Sequence, residues 1–137
     1  MAKEFSLRGH SFEELKGMSI DEFARLLPSR ERRSLKRGLT EQQKKLLEKI
    51  RGKPDKFHKT HIRNMIILPE MVGKKFGIYK GGAAEGDKSN KWVTLEITQQ
   101  MVGFRLGDFA IPIKRVQHSA PGIGASKSTK HASMKTT

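Results

Sequence analysis

In KFGIYKGGAAEGDKSNKWVTLEI, residues 75–97, two short runs of strand character flank a polar, Gly-rich loop, GGAAEGDKSN, residues 81–90. The second run places Val93, Leu95 and Ile97 on one side of an extended chain and Trp92, Thr94 and Glu96 on the other. The pattern predicts an antiparallel hairpin. Upstream, NMIILP, residues 64–69, is a short apolar run that predicts another strand. The hairpin also sits inside an echo, MVGKKFG at 71–77 and MVGFRLG at 101–107. Pro69 suits the first position of a helical turn, Thr98 suits a cap, and the glycines suit the positive φ that ends such turns.

Before residue 64 the period changes to that of helices. SFEE at 11–14, SIDE at 19–22 and TEQQ at 40–43 place Ser or Thr three residues before Glu or Gln, the spacing of a capping box. Ile20, Phe23, Ala24 and Leu27 then repeat at helical spacing until Pro28 interrupts them. Leu46, Leu47 and Ile50 form a narrow stripe that Gly52 and Pro54 end. The expected class is α+β: short N-terminal helices, a small two-layer α/β unit with a mostly antiparallel short sheet, and a disordered basic C-terminal tail. The expected boundaries are a helical basic N-terminal part at 1–63, the core at 64–112 and the tail at 113–137.

Charge points to the partner. The chain has 137 residues, 28 Lys and Arg against 14 Asp and Glu, and a formal net charge of +14. Residues 28–63 hold thirteen bases and four acids, and residues 111–137 hold five bases and no acid. The 64–110 stretch is nearly balanced, with six bases and five acids. A polyanion neutralises such self-repulsion, so nucleic acid or an anionic surface is the expected partner. Between the helical patterns, PSRERRSLKRG at 28–38 carries five bases to one acid, Glu31. On a helix Arg30, Arg33 and Arg37 share a face, with Arg32 and Lys36 beside them. A solvated, passive face is the alternative reading. Unpaired like charges on adjacent turns favour phosphate binding. Lys53, Lys56, Lys59 and Arg63 extend the block, and Lys114, Arg115, His118, Lys127 and Lys130 supply the tail. Pro121, Gly122 and Gly124 keep that tail thin, so it is expected to thread along phosphates.

Other chemistry finds little support. The chain has no Cys, which removes disulfides, thiolate metal sites and cysteine nucleophiles. No apolar run approaches the roughly 20 residues that cross a bilayer, so no membrane partner is expected. GIGASKS, residues 122–128, lacks the Gly that must precede Lys in a phosphate-binding loop, because Ser126 stands there. His58 and His61 have metal-compatible spacing but only Asp55 nearby as a third ligand, so loop histidines meeting phosphate or water are favoured. The acids are scattered, and nothing marks an activated nucleophile. Neither an enzyme nor a cofactor is expected. Phe76, Trp92, Phe104 and Phe109 read most simply as core or core edge. For Tyr79 and Trp92 the alternative is an outer sheet face that touches a partner.

With these residues in view, three motifs carry a resemblance: ILPEMVGKKFGIYKG, ITQQMVGFRLGDFA and RVQHSAPGIGASKS. Together they resemble the universal small-subunit ribosomal protein family numbered nineteen in bacteria and fifteen in eukaryotes. The PGIGA tail and the N-terminal MSIDEFARLLPSRERRSLKRGLTEQQKKLLEKI are similar to the archaeal and eukaryotic branch, and the ending STKHASMKTT points to the archaeal side. The resemblance covers nearly the whole chain. It implies a cytoplasmic protein of the ribosome, in the head of the small subunit, bound to small-subunit rRNA. It also implies the family-thirteen protein as neighbour and a tail directed toward the decoding region and the tRNA sites. By position it adds Lys74, Lys75 and Arg105 to the RNA-contact candidates. Pro112 stands where the family usually has Thr, which removes a backbone donor and a hydroxyl there. A free protein that coats nucleic acid without a fixed site is the rival function.

Overall fold

Ser11, Ser19 and Thr40 each begin a helix in the way their spacing predicts. The structure, a computed structural model, describes residues 5–81 and 91–112. A small hairpin of β1 (Ser6–Leu7) and β2 (His10–Ser11) leads into α1 (Phe12–Gly17). The Ser11 hydroxyl accepts from the Glu14 N–H while the Glu14 carboxylate accepts from the Ser11 N–H. Ser19 and Glu22 repeat the box at α2 (Ile20–Leu26), and Thr40 and Gln43 repeat it at α4 (Glu41–Gly52). Between these two lies α3 (Ser29–Lys36), which starts behind Pro28 without a side-chain cap. Pro28 fits there because the preceding turn needs no backbone donor from it.

The second box has a pH signature. The Ser19 N–H, and next its hydroxyl, hold the Glu22 carboxyl below its ordinary value of 4.5, with Arg25 assisting against slight desolvation. A carboxyl with a depressed folded pKa adds stability above its unfolded pKa and loses it as pH falls through the folded value. Glu22→Gln keeps the box geometry and removes the titration. Urea midpoints followed downward from neutral pH should fall less steeply below 4.5 in this variant than in the parent; identical slopes would show that the box is electrostatically idle.

The predicted hairpin is present as β4 (Lys75–Tyr79) and β5 (Trp92–Glu96), antiparallel, with Lys75 opposite Glu96 and Tyr79 opposite Trp92. A third strand, β3 (His58–Thr60), lies parallel to β4 on its other edge, so the order is β3-β4-β5. NMIILP, expected as a strand, is not part of this sheet. Met65, Ile66, Ile67 and Leu68 are all buried, so the segment has no wet face to alternate toward. It crosses the core as extended chain, and the 103–107 loop satisfies its backbone. Ile67 N–H donates to the Phe104 carbonyl (2.8 Å), Gly103 N–H to that of Ile67 (3.0 Å), and Leu106 N–H to that of Met65 (3.0 Å).

One apolar cluster joins helices and sheet. Leu15, Phe23 and Leu27 from the N-terminal helices, Leu46, Leu47 and Ile50 from α4, and Phe76 and Ile78 from β4 all belong to it. The echoed Met-Val-Gly segments close two 3-10 turns, Pro69–Met71 and Gln99–Met101. Gly73 and Gly103 follow them at φ of 81° and 89°. Thr98 occupies the cap position of the second turn but makes no side-chain hydrogen bond there. Phe104, expected in or near the core, is 54% exposed, because the turn directs its neighbours Val102 and Leu106 inward instead.

Candidate nucleic-acid interface

Leu35 anchors α3 in the core, which turns Arg30, Arg33, Lys36 and Arg37 outward as exposed side chains. Arg32 is half-buried, and its Nη2 donates to the Leu27 carbonyl at 3.1 Å. Its Nε is buried without a partner. Glu31, the one acid of the segment, faces Arg105 at 3.5 Å, and Arg105 Nη2 also donates to the Ser34 hydroxyl. Glu31 therefore neutralises the loop at 105 and not its own helix. Among the described residues, the ion pairs are Arg51 with Glu70 and Arg105 with Glu31, the His10 ring lies 3.1 Å from the Glu14 carboxylate, and none of these contacts involves the outer bases of α3.

A second basic surface lies between α4 and β3, around a groove of about 900 Å³. Lys45, Lys49, Lys53, Lys56 and Lys59 all line it, and no carboxylate does. Burial of Leu46, Leu47 and Ile50 forces Lys45 and Lys49, one turn apart, onto the groove side. The segment after the helix is pinned by His58, whose Nε2 meets the Lys53 carbonyl at 3.0 Å. Lys53, Lys56 and Lys59 belong to the sequence-based candidates; Lys45 and Lys49 were missed. Their four-residue spacing from each other and from Lys53 was the available signal, overlooked beside the apolar stripe of the same helix.

His58 is a buried strand residue, 7% exposed, and not a loop histidine meeting phosphate or water. His61 follows β3 on the opposite side, exposed, with its ring centroid 4.4 Å from that of Tyr79 and 5.0 Å from that of Trp92. The two histidines thus diverge across the sheet. Among the described residues no group of three His, Cys, Asp or Glu could hold a metal, and no helix is long and apolar enough to cross a membrane.

Other candidates are engaged inside the protein. The Arg63 guanidinium donates to the carbonyls of Tyr79 (2.9 Å), Gly107 (3.1 Å) and Ala110 (2.6 Å). Lys74 Nζ lies 3.5 Å from the Ile50 carbonyl. Burial lowers its pKa below 10.5, Glu70 opposes this, and Arg51 adds to it. Lys75 is exposed at the start of β4. Lys114, Arg115, His118, Lys127 and Lys130, with the rest of the expected disordered tail, lie outside the described residues.

The chain is a small α+β scaffold that carries two basic surfaces, the outer face of α3 and the groove between α4 and β3. The particular family follows from comparison: the ribosomal protein S19 family model matches residues 33–118, and the chain belongs to that family. It is 44% identical to the small ribosomal subunit protein uS19 of Metallosphaera sedula and 45% identical to that of Saccharolobus solfataricus. Each match covers 97% of this chain and 93% of the relative. The family is one of ribosomal proteins and not of enzymes.

Proposed function

We propose that this chain is a structural constituent of the small ribosomal subunit, acting in translation in the cytoplasm by binding small-subunit rRNA in the head. The observation that carries the proposal is the groove between α4 and β3, where five lysines converge without a carboxylate. Phosphate oxygens supply the missing countercharge. The outer face of α3, with Arg30, Arg33, Lys36 and Arg37, provides a second phosphate-binding surface, and Lys75 a further contact. Arg63 and Arg105 support this indirectly, because their donors hold loops and α3 in place. The family-thirteen protein as neighbour, and the course of the tail toward the decoding region and the tRNA sites, complete the proposal on family resemblance.

The test is replacement of Arg30, Arg33, Lys36 and Arg37 together by Ala in cells that carry a tagged copy. The parent should cosediment with small subunits and crosslink to a few small-subunit rRNA positions, while the variant should be depleted from both. Unchanged incorporation would exclude the α3 surface. Parent crosslinks spread over messenger RNA and genomic DNA would replace a fixed ribosomal site by general coating.

A further inference from the structure

Phosphate contacts account for the lysines but not for the rings beside them. Register in the sheet puts Phe76 and Ile78, fully buried, on the core face of β4, and Gly77 and Tyr79 on the opposite face. Trp92 pairs with Tyr79, and their ring centroids lie 5.2 Å apart, edge to face at 68°. His61 closes the group against both rings. The Lys59 ammonium stands 5.7 Å from the centroid of the Trp92 ring. Phe57 lies over Gly77, where an added Cβ would come within 2.7 Å of its ring. Gly77 thereby leaves room for an aromatic ring on the open side of the sheet.

The sheet already provides its core from the other face, so these rings are not needed to fill one. Phe57 is 38% exposed, His61 is exposed, and Tyr79 and Trp92 are half-buried. Phe57, Lys59 and His61 also line the lysine groove, so rings and lysines form one continuous surface.

We propose that Tyr79, Trp92 and His61 form a stacking platform for an unpaired nucleobase of RNA whose flanking phosphates lie in the lysine groove. The inference rests on the RNA-binding reading and adds which part of the RNA is held. Paired RNA encloses its base faces, whereas an unpaired base offers a π-face to aromatic rings and leaves its phosphates to nearby cations. The mutual contacts of the three rings, tilted between His61 and Tyr79 and edge-on from Trp92 to each, hold them in place before a base arrives. Lys59 joins the two functions, because one ammonium serves both the Trp92 ring and the groove.

Trp92 is the only tryptophan of the chain, so its emission reports on this surface alone. The full chain is titrated with oligouridylate and with an abasic ribose-phosphate strand of the same length at the same salt. Both strands should bind, but only oligouridylate should quench Trp92. Trp92→Ala, checked for folding by circular dichroism, should weaken oligouridylate by about tenfold and leave the abasic strand unchanged. Equal quenching by both strands, or binding of both without quenching, overturns the platform and leaves the phosphate-binding groove standing. Failure of both strands to bind overturns the groove and the platform together.

Discussion

Arg63→Met lowers the melting temperature by more than about 10 °C, the largest stability loss expected of any exchange at a basic position. The side chain is only half-buried, yet its guanidinium ties the sheet to a 3-10 turn, Leu106–Phe109, that lies far away in the chain. The carbonyls it holds are those of Tyr79 at the end of β4, of Gly107 within the turn and of Ala110 at its C-terminal cap. Hydrogen bonds from a charged donor are worth roughly 1.5–3 kcal/mol each, and partial exposure and non-additivity reduce their sum to about 3–5 kcal/mol. That is a large share of the roughly 5–15 kcal/mol that a domain holds in all. Lys at 63 restores little, because a single ammonium cannot reach three divergent carbonyls as a planar fork does. Arg33→Met, on the exposed side of α3, is the control and should change stability by less than about 0.5 kcal/mol. Thermal unfolding followed by circular dichroism decides it: a loss at Arg63 no larger than that at Arg33 would mean that the three carbonyls find water equally well.

Neutralising the groove has the opposite profile, with stability kept and binding lost. Replacing Lys45, Lys49, Lys53, Lys56 and Lys59 together by Gln leaves helix propensity in α4 nearly unchanged, since Gln and Lys rank together. Each phosphate contact with single-stranded RNA contributes about 0.7 to the slope of log affinity against log salt, so five lost contacts flatten it by about 3.5. Between 50 and 200 mM salt the parent should therefore lose roughly 100-fold more affinity than the variant. Anisotropy titrations of the full chain with a labelled small-subunit rRNA fragment at several salt concentrations read both slopes. Parallel lines would reduce the groove to a solvated face, and RNA affinity would then rest on α3 and the tail.

The capping boxes at Ser11, Ser19 and Thr40, the hairpin across 81–90, the α+β class and the excess of base at 28–63 were all legible in the order of residues. Each depends on neighbours a few positions apart, and such local chemistry leaves a pattern in the chain. Long-range placement decided the rest. HKT at 58–60 shows no strand pattern, yet it becomes β3 because the edge of β4 needs a partner and His58 and Thr60 fit the buried side. NMIILP looks like a strand but has both sides covered, so its backbone pairs with a loop nearly forty residues further on. Lys45 and Lys49 join Lys53, Lys56 and Lys59 only when α4 packs beside β3, and Tyr79 meets His61 only across two strands. The charge of Arg30, Arg63 and Arg105 is a property of sequence alone. Whether such a charge faces solvent, three carbonyls or Glu31 depends on which backbone groups lie within hydrogen-bond reach after packing, and that is set by contacts between residues far apart in the chain.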